Sequence, residues 1–189
     1  EYRAKPAWQR LFVIAGGVMF NFIFAILVYS VILDIWGESY LPNKGNKIYV
    51  NELAYEMGFR NGDEILSFDD YIPEDFGMLQ ADLARQTASK AKVLRDGDTV
   101  NIYIDHSMIG QVLNTPGMFD LALPFKVQSV SETSPNAGLD VRKGDMVITV
   151  AGEEVNYVQE AWPILEKHPG EEIAVAFLRD ADTVTLDMA

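Results

Sequence analysis

Hydrophobic positions fall into two regimes along this chain. From Leu11 to Leu33, twenty-three consecutive residues (LFVIAGGVMFNFIFAILVYSVIL) carry no charge. They have no polar face, which predicts a helix that is apolar all round. At 1.5 Å rise per residue it spans roughly 35 Å, enough to cross a hydrocarbon core of about 30 Å with some tilt. Beyond Trp36 the pattern changes to short alternating runs separated by Gly, Asp, Asn and Pro. Residues 48–50, 64–68, 125–130 and 146–150 read as half-buried strands. Phe76, Leu79 and Leu83 recur at helical spacing behind Asp75, a candidate N-cap. Val158, Trp162 and Leu165 do the same behind Asn156, with Gln159 three positions on as in a capping box. Pro163 falls inside that second helix and should kink or shorten it.

The second regime repeats itself. Ala54-Tyr-Glu-Met-Gly58-Phe59-Arg-Asn-Gly62-Asp63-Glu-Ile65 parallels Pro135-Asn-Ala137-Gly138-Leu139-Asp-Val-Arg-Lys-Gly144-Asp145-Met-Val147. Leu94-Arg95-Asp96-Gly97-Asp98 parallels Leu178-Arg179-Asp180-Ala181-Asp182. The offsets are 82 and 84 residues, which argues for a duplicated unit of about 80 residues. Asp96-Gly97 suits a type I′ hairpin turn; Asp180-Ala181 suits it less well. The resulting division is 1–39 for a flank and membrane helix, 40–116 for a first domain and 117–189 for a second. Residues 105–116, with Gly110, Asn114 and Pro116, are expected to form the linker between the two.

Charge orients the apolar run. Arg3, Lys5 and Arg10 precede it against Glu1 alone, and Asp34 and Glu38 follow, with no basic residue before Lys44. Basic flanks stay cytoplasmic, so the part from residue 40 onward is expected across the membrane. A cleaved signal peptide has an apolar core of only ~7–15 residues and a small-residue cleavage site, and Asp34-Ile35-Trp36 is a poor one. Trp8 and Trp36 stand where interfacial anchors would. The chain carries a net charge of −13, all of it beyond the anchor and its flanks. That excludes nucleic acid as a partner, because phosphate contact needs Lys/Arg clusters. The chain has no cysteine, which removes disulfides, thiolate catalysis and Cys-ligated zinc. Its two histidines, His106 and His168, lie in different repeats and lack the i, i+4 partner of a metal-binding helix.

Ser134-Pro135-Asn136-Ala137-Gly138-Leu139, followed by Gly144-Asp145, resembles the signature of bacterial PDZ domains; the first repeat resembles it more loosely. The expected fold is therefore one transmembrane α-helix followed by two α+β PDZ-like domains, each a small antiparallel β-barrel or sandwich with one main helix. Lys5-Pro6-Ala7-Trp8-Gln9-Arg10, leading into Gly17-Val18-Met19-Phe20-Asn21-Phe22, resembles the second transmembrane segment of RseP-type site-2 proteases. Gly17 and Asn21 occupy the marked positions of a G-x-x-x-N-F motif, and Val18 stands where many members have proline.

This resemblance implies a multi-pass parent in the bacterial inner membrane with a periplasmic PDZ region. It implies an intramembrane zinc metalloprotease acting in regulated intramembrane proteolysis. The substrate would be a transmembrane protein such as an anti-sigma factor. Zinc (Zn2+) would be held by an H-E-x-x-H helix and an L-D-G segment, neither of which is in this chain, so no catalytic or metal-binding residue is expected here. Asn21 would lie near the zinc site or the unwound substrate backbone, or it would hold helices together through an interhelical hydrogen bond. By the same resemblance, Leu121, Ala122 and Leu123 would form the peptide-binding strand of the second PDZ copy, facing the helix that carries Trp162 and Leu165. Ala122 replaces the usual loop glycine, and Asp120 sets a negative charge beside any incoming carboxylate. Tyr40-Leu41 would be the matching strand of the first copy. The pair would either bind a new substrate end or exclude bulky substrates. The alternative reading is a non-enzymatic, single-span PDZ adaptor.

Overall fold

A computed structural model describes residues 6–37 and 39–189. Arg3, Lys5 and Glu38, which carry part of the charge asymmetry, lie outside the described residues. The chain forms two compact units, residues 1–41 and 42–189.

The first unit is the helix α1 (Ala7–Trp36). Within it, Ala15–Trp36 is long and apolar enough to cross a membrane, and no part of that stretch is buried inside the protein. Ser30 Oγ donates to the Ile26 carbonyl at 2.8 Å, so its hydroxyl is satisfied within the helix, as a hydrocarbon surrounding requires. The helix stops at Gly37, whose φ of 66° only glycine adopts cheaply and whose N–H donates to Leu33 O at 2.8 Å.

The second unit has two halves that share a core of strand, helix, strand and strand. Its first half is β1 (Ile48–Val50), α2 (Glu52–Glu56), β2 (Glu64–Phe68), α3 (Leu79–Gln86), β3 (Lys90–Arg95) and β4 (Asp98–Tyr103). A 3₁₀ turn, Phe76–Met78, leads into α3, and the Asp75 carboxylate caps it by accepting from Gly77 N at 2.9 Å. Then come α4 (His106–Val112) and β5 (Phe119–Leu121). The second half has a 3₁₀ turn (Pro135–Gly138), β6 (Met146–Val150), β7 (Glu153–Glu154), α5 (Val158–Leu165), β8 (Ile173–Arg179) and β9 (Asp182–Met188). The sheets are β2-β3-β4, β7-β6-β8-β9 and the pair β1-β5, all antiparallel.

Several hydrogen-bond patterns recur in the two halves. β2 pairs with β3 as β6 pairs with β8, with a bulge at the same place, between Ile65 and Ser67 and between Val147 and Thr149. Ile48 exchanges backbone bonds with Gly62 and Asp63 as Val127 does with Gly144 and Asp145. The repeated Gly-Asp serves one purpose in both halves. Asp63 accepts from Arg60 N at 2.9 Å and from Arg95 Nε and Nη2 at 2.7 and 2.8 Å. Asp145 accepts from Arg142 N at 2.9 Å and from Arg179 Nε and Nη2 at 2.9 and 2.8 Å. Both carboxylates are buried. Each staples the loop before one strand to the end of another, through a bidentate, charge-assisted pair.

The Arg179 guanidinium, and then the Arg142 N–H, hold the Asp145 carboxyl down to about 2. A depressed carboxyl stabilises the fold fully above its unfolded value of about 3.9, and that contribution fades as pH falls toward the folded value. Asp145→Asn should therefore be less stable than wild type at pH 6, with the gap closing between pH 4 and pH 2. Thermal unfolding across that range checks this; a gap independent of pH would contradict it.

Three expectations are corrected. Residues 105–116 are not an open linker: α4 occupies most of the stretch, and Val112 is fully buried. The strand beside β1 is not Tyr40-Leu41, both of which are exposed, but β5, which arrives from the far end of the first half. Residues 125–130 do not form a regular strand; beyond the Val127 bonds to Gly144 and Asp145 they make an isolated bridge, Lys126 to Met146.

Candidate functional site

The site expected around residues 118–123 is built where the two halves meet. β5 pairs with β1 through Phe119–Val50, Asp120–Tyr49 and Leu121–Ile48, and Ala122 N–H extends the ladder to Lys47 O at 2.8 Å. Phe119 packs edge-on against the buried Phe59 ring, with centroids 5.0 Å apart. Alternation then leaves the backbone of Phe119 and Leu121 facing away from β1.

Part of that outer edge is already engaged. Gln159, in the first turn of α5, donates from Nε2 to Leu121 O at 2.6 Å, and Val158 N–H donates to Leu123 O at 2.9 Å. The turn is fixed by Glu160, whose carboxylate accepts from Asn156 N at 2.7 Å and Tyr157 N at 3.2 Å. The capping side chain is thus Glu160, not Gln159, and the cap residue is Tyr157, not Asn156. Leu121, Ala122 and Leu123 line a depression of about 420 Å³ together with Lys47, Asn156 and Tyr157.

The loop leading into β5 is tied down as well. Gln80 on α3 donates from Nε2 to Val112 O and to Thr115 O, the latter at 2.8 Å, and its Oε1 accepts from Met118 N at 3.2 Å. Gln80 thereby occupies a backbone N–H of the segment that would meet a peptide carboxylate. Asp120 is exposed on β5.

The remaining expected residues are dispersed. Trp162 is 62% exposed on α5, whose buried face is Ala161 and Ile164. Leu165 stands at the rim of a separate cavity of about 430 Å³ in the second half, lined by Phe125, Val127, Val147, Phe177 and Met188. Asn21 lies on the exposed surface of α1. Of the residues that lock the site, Gln159 stood out in sequence only as a helix cap, and Gln80 and Tyr157 did not stand out, because a polar residue beside apolar helical positions reads as a solvated face. Tyr157 joins the halves: its ring meets Tyr49 edge-on at 6.2 Å, and its hydroxyl fills the space a side chain at Gly62 would need. Burial and the nearby Glu160 charge push its phenol up.

Nothing in this set fits zinc. Among the described residues no group of three or more His, Cys, Asp or Glu side chains could hold a metal ion. His106 Nε2 shares a hydrogen bond with Ser89 Oγ and His168 Nδ1 with Glu171, both at 2.8 Å.

Residues 114–189 match the PDZ domain family. The chain is 30% identical over 161 residues to "Metalloprotease MmpA" of Caulobacter vibrioides, covering 79% of this chain and 40% of that protein. It is 24% identical over 201 residues to "Putative zinc metalloprotease NMA0084" of Neisseria meningitidis, covering 98% of this chain and 44% of that protein. A similarly named protein of Thermotoga maritima is 26% identical over 156 residues, covering 82% of this chain and 28% of its own. The chain therefore spans less than half the length of these relatives.

Proposed function

We propose that this chain, a homologue of bacterial zinc metalloproteases with a PDZ domain at its C-terminal end, is a membrane helix and substrate-gating module of an RseP-type intramembrane site-2 protease. The first half of the 42–189 unit serves as a second PDZ module, and the unit lies on the extracytoplasmic side of the inner membrane. The observation that carries this reading is the order of parts. An apolar helix of membrane-spanning length leads, through five residues, into a compact unit that ends in a PDZ domain, and the alignment with a named zinc metalloprotease covers nearly the whole chain.

A compact unit of this size measures roughly 35–40 Å across. A five-residue connection reaches at most about 20 Å. Such a body, tethered beside a membrane active site, blocks a folded outer domain and admits a trimmed, extended chain. We favour a filter over a tight receptor for free carboxylates. Gln80 and Gln159 already engage the loop and edge of β5, Asp120 adds negative charge there, and the unit is strongly acidic. Zinc and the catalytic groups come from other segments of the parent, and its substrates are transmembrane proteins such as anti-sigma factors.

The parent's sequence tests the family reading against a single-span adaptor. An H-E-x-x-H helix upstream and an L-D-G apolar segment downstream are expected, and their absence would leave the adaptor. Membrane topology is a second test. An impermeant thiol reagent should label Ser131→Cys in intact cells stripped of their outer membrane, and not Ala4→Cys. The reverse pattern would overturn the placement.

A further inference from the structure

The duplication lets each half be checked against the other, and one part present in the first half has no counterpart in the second. In the first half the chain leaves β4, forms α4, and returns as β5 to pair with β1. That return covers Ile48, Phe59, Ile102 and Ile104, all buried, and itself buries Val112 and Met118. Strand registers and the Gly-Asp hydrogen bonds make Val127, Val141, Leu186 and Met188 the equivalents of Ile48, Phe59, Ile102 and Ile104. In the second half all four are only partly buried, and Val127 and Met188 line the 430 Å³ cavity.

The backbone shows the same gap. β1 gives its outer edge to β5 through Lys47 O, the Tyr49–Asp120 pair and Asn51 N, which donates to Met118 O. The equivalent groups are Lys126 O, the N–H and carbonyl of Gln128, and Val130 N. Among the described residues, none of these four has a protein hydrogen-bond partner. They form an open strand edge beside an apolar cavity, which is the geometry that strand addition satisfies. It also explains why residues 125–130, alternating as a strand should, fail to become one: Phe125 and Val127 bond inward to residues 144–147, but the outer edge has no partner.

We infer that this edge takes a strand of the same polypeptide from beyond Ala189, pairing antiparallel with residues 126–130 and closing the cavity as α4 and β5 do in the first half. This rests on the reading that the chain is part of a longer protein, as the relatives' lengths suggest. The same polypeptide is the occupant because the repeat supplies it that way once already. Met188 corresponds to Ile104, from which the first half passes directly into its covering segment. By that spacing the strand begins about fifteen residues past Met188, and it presents apolar side chains at alternate positions, as Phe119 and Leu121 do.

The test compares the 189-residue chain with one extended by the next thirty or so residues of the parent, both in detergent, by amide hydrogen exchange. Extension should slow exchange at Gln128 and Val130 by about 100-fold, since both amides gain strand partners. Gln128→Pro should abolish that protection and lower the melting temperature of the extended chain. It should change the 189-residue chain little, because the N–H it removes is unpaired there. Unchanged exchange on extension, in a chain whose 146–188 strands stay protected, would overturn the inference. So would protection that appears in the 189-residue chain and grows with its concentration, which would make a second copy the occupant. Failure of the filter reading would show in cleavage assays and leave this exchange pattern untouched.

Discussion

Asp63→Ala should lower the unfolding free energy by about 3 kcal/mol, read from urea unfolding of the chain in mild detergent by near-UV circular dichroism. Asp63 is fully buried and accepts three hydrogen bonds, one from Arg60 N and two from Arg95. Removing it strands the Arg95 guanidinium, which keeps only the Gly58 carbonyl, and frees the Arg60 N–H. Breaking one side of a buried pair costs about 3–5 kcal/mol, and the 29% exposure of the Arg95 side chain places this case at the low end. The comparison is Glu153→Ala, which removes an exposed partner 3.5 Å from Lys167 and should cost no more than about 0.5 kcal/mol. A loss below about 1 kcal/mol for Asp63→Ala would mean the staple does not hold the first half together.

The strands carrying the Gly-Asp motif were legible in sequence because alternation and a glycine turn act locally: β1, β2 and β6 fall where the pattern puts them. The motif's partner was not. Sequence offsets paired Arg95 with Arg179 and Asp63 with Asp145, but the contact between Asp63 and Arg95 spans 32 residues and exists only once the sheet closes. β5 shows the same limit more sharply. Its alternation marks a strand, yet nothing local says that it pairs backward with β1 and not forward with residues 125–130. Trp162 misled for another reason. Its spacing from Val158 and Leu165 fits a helical stripe, but α5 is a short helix rotated so that Ala161 and Ile164 face the core and the indole faces solvent. Leu121, Ala122 and Leu123 do share one depression with the start of α5, whereas Asn21 belongs to the separate helix unit.

On the proposed reading of the parent as a protease gated by this unit, replacing residues 42–189 by a short flexible linker in the full-length protein should produce the largest functional change. A substrate that keeps its bulky outer domain, cut slowly or not at all by the intact enzyme, should be cleaved at least about 10-fold faster, because the gate and not the chemistry limits its entry. A pre-trimmed substrate should be cleaved at a rate within about 2-fold of the intact enzyme, because its extended end already passes. The side-by-side cleavage rate of these two substrates, with and without the unit, is the most direct measurement of the account. Selective release of the bulky substrate is the predicted result. Loss of trimmed-substrate cleavage in an enzyme that stays folded, reproduced by Trp162→Ala in the intact protein, would contradict the filter and make the unit a receptor.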